Sequence, residues 1–264
     1  MIDLSAAAMS AADVDYLQQT CAYQPFKLPG PVYTGAALGM ADGSTVRVMA
    51  EDSDDPERDR FLAETRNQAA MYEQLLDLVD AEVGIAGNSF LDIACNAGYF
   101  CYRASQRGAS RSVGFDLGDY VRTFDLVNGA LGSDATFVKG TYSQRRHELL
   151  GPIGQFDIVT NIAFLCHMSD PTFVIETVAE RAKKAMLIFS KFPRDDDYLI
   201  RFSKSTHVYS KKRFPLCFNG ATEVSDTLLE FALKDLGFSR VLEVPKQPTW
   251  LPRAPEWRAF LAIR

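Results

Sequence analysis

The apolar positions of this chain follow two rhythms, and the change comes near residue 84. Phe61, Leu62, Tyr72, Leu75, Leu76 and Val79 recur at helical spacing, which predicts a long helix burying one side. Asp55 and Pro56 stand where an N-cap and a first-turn proline would open that helix, and it is expected to run to about Asp80. Beyond Gly84 and Gly87, short apolar runs alternate with helical stretches. Ser89–Ala94, Arg111–Phe115, Thr136–Val138, Phe156–Asn161 and Ala185–Phe189 read as strands. Helices are expected over Tyr99–Gln106, Tyr120–Leu131, from Asp170-Pro171 through Arg181, and over Asp226–Leu236 with Gly237 as the stop. Phe238–Val244 and Trp257–Ile263 add two last strands at the sheet edge. The alternation predicts an α/β fold: a doubly wound, seven-stranded, mostly parallel sheet with a terminal antiparallel strand.

The first 55 residues are less regular, broken by Pro25, Pro29 and Pro31. They read as an N-terminal extension with a short helix near Ala11–Thr20 and an extended piece near Thr45–Met49. Residues 56–264 make the main domain, in which 191–221 is a candidate substrate lid.

Composition narrows the function classes. Of 264 residues, 47% are hydrophobic and 23% charged, as in an ordinary globular protein. A net charge of −6 argues against an extended phosphate-binding surface, so a nucleic-acid partner is disfavoured and a small-molecule substrate expected. The five cysteines lack the paired spacing of a metal site, so no metal is expected and the thiols read as reduced. No basic leader precedes an apolar run, and Ala6 to Met9 is too short to span a bilayer. The expectation is a cytoplasmic protein without a membrane partner.

The chemistry concentrates in Phe90-Leu-Asp-Ile-Ala-Cys-Asn-Ala-Gly-Tyr-Phe100, a buried strand ending in small residues that open a helix. In an open α/β sheet, that carboxyl edge is where ligands bind. Asp92 stands just before the turn, able to accept from turn amides or an ammonium group. Asp116 closes the next strand, where two acceptor oxygens suit a vicinal diol. A dinucleotide site wants three glycines against a pyrophosphate, whereas Ala94-Cys-Asn-Ala-Gly98 holds one. A cationic, phosphate-free nucleoside fits better.

This segment resembles motif I of the class I S-adenosylmethionine-dependent methyltransferases, D-x-G-x-G-x-G with an acidic residue ending the next strand. Phe156-Asp-Ile-Val-Thr-Asn-Ile-Ala-Phe-Leu-Cys-His-Met-Ser-Asp-Pro171 is similar to the family's fourth strand and its continuation, and Leu236-Gly237-Phe238 to the approach to its sixth. Within that class, Asp92–Phe100 is similar to the D-I-G-C-N-x-G-Y-F loop of tRNA wobble-uridine carboxymethyltransferase-like proteins. Phe26-Lys-Leu-Pro-Gly30 with Thr34-Gly35 is similar to their L-P-x-G-x-x-T-G stretch. The resemblance implies S-adenosyl-L-methionine as cofactor, held by Asp92, Ala94, Cys95, Asn96, Gly98, Tyr99, Phe100, Asp116, Leu117, Gly140, Thr141, Tyr142 and Asn161. Ala94 departs from the usual glycine, and Gly140-Thr-Tyr142 from a common adenine-reading Asp.

His167 follows the fourth strand on the cofactor side, and its ordinary pKa suits a general base or an orienting group. The plainer reading is a histidine bonded to a neighbouring loop. In the Lys-, Arg- and aromatic-rich stretch beyond residue 191, Lys204 and Tyr209 are candidate acceptor contacts, against the plainer view of a solvated basic face. Methyl transfer asks chiefly for in-line placement, so few acid/base pairs are needed. The expected activity is methyl transfer to oxygen or nitrogen of a small molecule. The alternatives are an RNA-modifying transferase and a non-catalytic nucleotide-binding protein.

Overall fold

The computed structural model describes residues 1–39, 45–140, 153–168, 170–202, 222–245 and 257–264. Four short strands come first: β1 (Ile2–Asp3), β2 (Phe26–Leu28), β3 (Val32–Gly39) and β4 (Thr45–Ala50), which pair in that order as one sheet. Pro29 and Pro31 fall between β2 and β3, where a missing N–H leaves no ladder bond unmade. α1 (Ala11–Thr20) opens on Ser10, whose hydroxyl accepts from the Asp13 N–H. The helix and β4 match the sequence expectation; β1 and β2 are too short to show a period, and β3 is interrupted by small residues and a register shift between Thr34 and Leu38.

α2 (Arg58–Val83) differs at both ends from the pattern reading. Asp55 does not cap it. Its carboxylate accepts from the Glu57 N–H at 2.8 Å and makes a local turn, so the helix begins after Glu57. At the far end Gly84, at φ 78°, returns its N–H to Asp80 and stops the helix. The buried stripe of α2 holds the expected apolar residues and two polar ones, Thr65 and Gln68.

The remaining elements alternate: β5 (Ser89–Ile93), α3 (Tyr99–Gln106), β6 (Arg111–Asp116), α4 (Val121–Leu131), β7 (Thr136–Lys139), β8 (Phe156–Ile162), α5 (Pro171–Ala179) and β9 (Ala182–Lys191). A small antiparallel pair, β10 (Ile200–Phe202) with β11 (Thr222–Val224), precedes α6 (Asp226–Asp235), β12 (Arg240–Glu243) and β13 (Trp257–Ile263). The main sheet runs β12-β13-β9-β8-β5-β6-β7. Five neighbouring strands are parallel; β13 enters antiparallel between β9 and β12. The fold is the expected doubly wound one, with the last strand slotted inside the edge instead of forming it.

Side chains of alternate parity build two cores, as the pleat requires. Phe90, Ile158 and Leu187 face α2, α3 and α4; Leu91, Val159 and Met186 face α5 and α6. Leu17, Phe26 and Leu28 belong to the first of these cores, so the N-terminal sheet packs into the main domain. The ring of Phe26 meets Tyr99 and Tyr102 edge-on, at 6.2 and 6.4 Å. Arg258 of β13 is buried and held by Asp226 at 2.7 Å and Glu243 at 2.6 Å, which neutralise its charge and tie the last strand to α6 and β12.

Candidate active site

β5 ends in a turn that the chain adopts only under constraint. Ala94 (φ 61°), Asn96 (φ 51°) and Gly98 (φ 87°) all take left-handed backbone. A left-handed Ala costs of order 1–2 kcal/mol, Asn less, Gly little. Gly98 is further required because a Cβ there would meet the Phe124 ring at 2.5 Å. Hydrogen bonds hold the turn from both sides. The Cys95 N–H donates to the Phe115 carbonyl at 3.1 Å and the Asn96 N–H to Asp116 Oδ2 at 2.9 Å. Opposite them, Gln24 Nε2 donates to the Cys95 carbonyl at 2.9 Å, and its Oε1 accepts from the Tyr99 N–H at 3.0 Å.

The two acidic side chains sit differently. Asp92, buried on β5, accepts from Thr160 Oγ1 of β8 at 2.7 Å. Burial pushes its carboxyl up to about 7; the Thr160 bond opposes that shift and Asp116 adds to it. Asp116 is half-buried at the end of β6, with Oδ1 accepting from the Gly118 N–H and Oδ2 from Asn96. Each oxygen retains a lone pair for a further donor.

Both carboxylates open on a cleft of about 390 Å³, together with Ala94, Asn96 and Phe100. Tyr23, Gln24, Gln68, Met71 and Tyr72 form a second wall. Gln68 is tied there by its Nε2, which donates to the Tyr23 carbonyl and the Tyr72 hydroxyl, each at 3.1 Å. The far end is aromatic, with Phe164, Phe189, Trp257 and His167; the Phe189 and Trp257 rings lie 5.1 Å apart. His167 reaches the cleft because β8 is followed directly by Ala163, another left-handed alanine (φ 58°), and then by a single tight turn over Leu165–His167.

The sequence-predicted residues therefore separate. Asp92, Ala94, Asn96, Phe100, Asp116 and His167 come together around the cleft. Cys95 instead packs its thiol towards Gly114, where a Cβ would meet it at 2.6 Å. Gly98 packs on Phe124, and the Tyr99 hydroxyl donates to Glu73 at 2.7 Å on the side away from the turn. Asn161 follows Thr160 and so points to the opposite face of the sheet, fully buried, its amide atoms without a hydrogen bond. Leu117 stands exposed beside Asp116, and the Gly140 N–H donates to the Asp116 carbonyl at 2.9 Å. Thr141, Tyr142, Lys204 and Tyr209 lie outside the described residues, as does most of the lid stretch.

The second wall and the Phe164, Phe189 and Trp257 rings escaped the sequence reading. A signal existed for Gln68, a glutamine within an apolar helical stripe; Gln24 offered none. Among the described residues, no cluster of His, Cys, Asp or Glu could hold a metal ion, and no helix is long and apolar enough to cross a membrane.

Known proteins similar to this chain include methyltransferases. A ubiquinone biosynthesis O-methyltransferase of Neisseria meningitidis is 26% identical over 171 residues, covering 58% of this chain and 71% of the relative. The counterpart of Pseudomonas aeruginosa is 32% identical over 115 residues, 42% of this chain and 47% of its own. Among solved structures, magnesium protoporphyrin IX methyltransferase from Synechocystis with bound SAM superposes with a TM-score of 0.53 at 17% identity, covering 77% of this chain and 83% of that one. A family model described as a methyltransferase domain matches residues 62–243, which span both carboxylates, the strained turn and the tight turn carrying His167. The chain belongs to that methyltransferase-domain family.

Proposed function

We propose that this protein transfers the methyl group of S-adenosyl-L-methionine to an oxygen of a small-molecule acceptor. The observation that carries the reading is the pairing of Asp92 and Asp116, one on each side of a glycine-poor turn and both open to one cleft. The residues suit the cofactor. Asp116 offers free lone pairs to a ribose diol, and Asp92 offers a carboxylate to an ammonium group. Leu117, next to Asp116, is 50% exposed and offers an apolar surface to a flat adenine, for which Gly140, Thr141 and Tyr142 are the further contacts proposed from the sequence. Bound there, the cofactor supplies an already activated methyl group.

The protein's part is placement. The aromatic end holds the acceptor in line, while His167 orients its hydroxyl or takes its proton; Lys204 and Tyr209 stay candidate acceptor contacts on the sequence alone. The Neisseria and Pseudomonas relatives are named as O-methyltransferases, which supports oxygen as the atom modified. Four buried free thiols, Cys21, Cys95, Cys101 and Cys166, support a reducing, cytoplasmic setting.

Isothermal titration tests the reading directly. The protein is expected to bind S-adenosylmethionine, and Asp116→Ala to weaken binding by about 1.5–3 kcal/mol through loss of charge-assisted bonds. Absence of binding at millimolar cofactor overturns it. A second reading, an RNA-modifying enzyme similar to the wobble-uridine carboxymethyltransferases, is favoured by Asp92–Phe100 together with Phe26–Gly30 and Thr34-Gly35. It requires RNA binding that falls steeply with salt, and a flat salt response removes it.

A further inference from the structure

The strained turn after β5 needs a restraint beyond its own sequence. Two of its left-handed residues are not glycine, and such backbone persists only where the surroundings over-determine it. β6 supplies half of that restraint through Phe115 and Asp116. The other half comes from one side chain, Gln24, which reaches residues 71 and 75 places further along the chain.

The arrangement around Gln24 is specific. The residue is 7% exposed, and both ends of its amide are spent on the turn, the donor on Cys95 and the acceptor on Tyr99. Gly98, the residue at the start of α3, has no side chain with which to cap the helix, so Tyr99 would present an orphan N–H. Gln24 Oε1 fills that place from the connection between α1 and β2. Its own backbone is fixed in turn: the Gln24 carbonyl accepts from Thr34 Oγ1 at 2.7 Å, and its N–H donates to Cys21 at 2.9 Å. Tyr23 beside it faces the cleft, with Arg47 of β4 lying 3.8 Å over its ring.

We infer that Gln24 is a positioning residue for the cofactor turn, and that the N-terminal extension, through the connection before β2, is thereby part of the cofactor site. This rests on the proposed methyltransferase reading for its ligand, but the restraint it describes belongs to the protein alone. Its loss is felt at the turn first: Ala94 and Asn96 relax towards ordinary backbone, and the Asn96 N–H leaves Asp116.

Three full-length proteins test this: wild type, Gln24→Met, which keeps the length and removes both bonds, and Gln24→Glu, which keeps only the acceptor. Hydrogen-exchange mass spectrometry of the free proteins is expected to show faster exchange in peptides covering residues 94–100 of Gln24→Met, with the other strands of the main sheet unchanged. Titration with S-adenosylmethionine is expected to give a Kd raised about tenfold in Gln24→Met and less in Gln24→Glu. Unchanged exchange at 94–100 overturns the inference, as does a Kd within twofold of wild type. Should Gln24→Met fail to fold, Gln24→Glu decides by the same two measurements. Should wild type bind no cofactor, the methyltransferase reading falls while the exchange result still decides the role of Gln24.

Discussion

Two regions close on the same five-residue turn, and they do so by different means. The β6 side works through neighbours in the sheet: a main-chain carbonyl at Phe115 and the carboxylate at Asp116, 20 residues after the amide it receives. The N-terminal side works through one buried amide whose partners lie 71 and 75 residues away. The first is a product of strand order and register, so it follows once the parallel sheet is in place. The second depends on a particular side chain arriving from a distant loop, the one between α1 and β2. The contrast teaches that one side of a site can be set by sheet register and the other by a single side chain from far along the chain.

The largest expected effect comes from disturbing what both regions grip. Gly98→Ala adds a methyl against the Phe124 ring in left-handed backbone, and should destabilise the fold by about 3 kcal/mol from overpacking and strain together. Urea unfolding measures it; a loss under 1 kcal/mol would mean that neither region holds the helix start firmly.

Next comes the titration of Asp92, whose carboxyl burial raises to about 7. Between the unfolded value of 3.8 and about 7, the unfolded chain releases a proton that the folded chain keeps. The free protein should therefore lose stability as pH rises through that window. Affinity for the cationic cofactor should move the other way, rising about tenfold from pH 6 to pH 8 as the carboxylate forms. Calorimetry at the two pH values checks this, and Asp92→Asn should abolish the difference.

The smallest effect sharpens the contrast most. Ala94→Gly removes strain and should stabilise the protein by about 1 kcal/mol, seen as a higher melting temperature. Combined with Gln24→Met it should also shrink the cofactor-affinity loss of the latter, because a relaxed turn needs less restraint. Equal losses in both backgrounds would separate the Gln24 bonds from the strain.

Legibility in the sequence divides along the same line. Asp92 and Asp116 were readable because an acidic residue at a buried strand end is conspicuous, and the helices because their stripes repeat. Asn161 was placed in the site as the end of β8, yet its side chain is turned away. Facing follows strand parity, and the pairing of Asp92 with Thr160 is needed to set that parity. Tyr72 was read as core only, although it also lines the cleft, its hydroxyl accepting from Gln68. Trp257 was read as the start of a strand, and reaches the cleft only because β13 runs beside β9 with Trp257 opposite Lys191. Gln24 lies in the connection between α1 and β2, where no period exists to mark it. Such contributions depend on tertiary placement, and local pattern does not encode them.

The position of β13 has a consequence for how the molecule is assembled. Among the described residues β12 pairs with β13 alone, so it can join the sheet only after the later segment has inserted itself. Until then β9 presents an open, hydrogen-bond-hungry edge, a template for mispairing with another chain during synthesis. Trp257 travels on the same strand. The aromatic end of the cleft is thus built at the last step of sheet closure, and a chain that stalls before that step exposes a sticky edge and lacks a finished binding wall together.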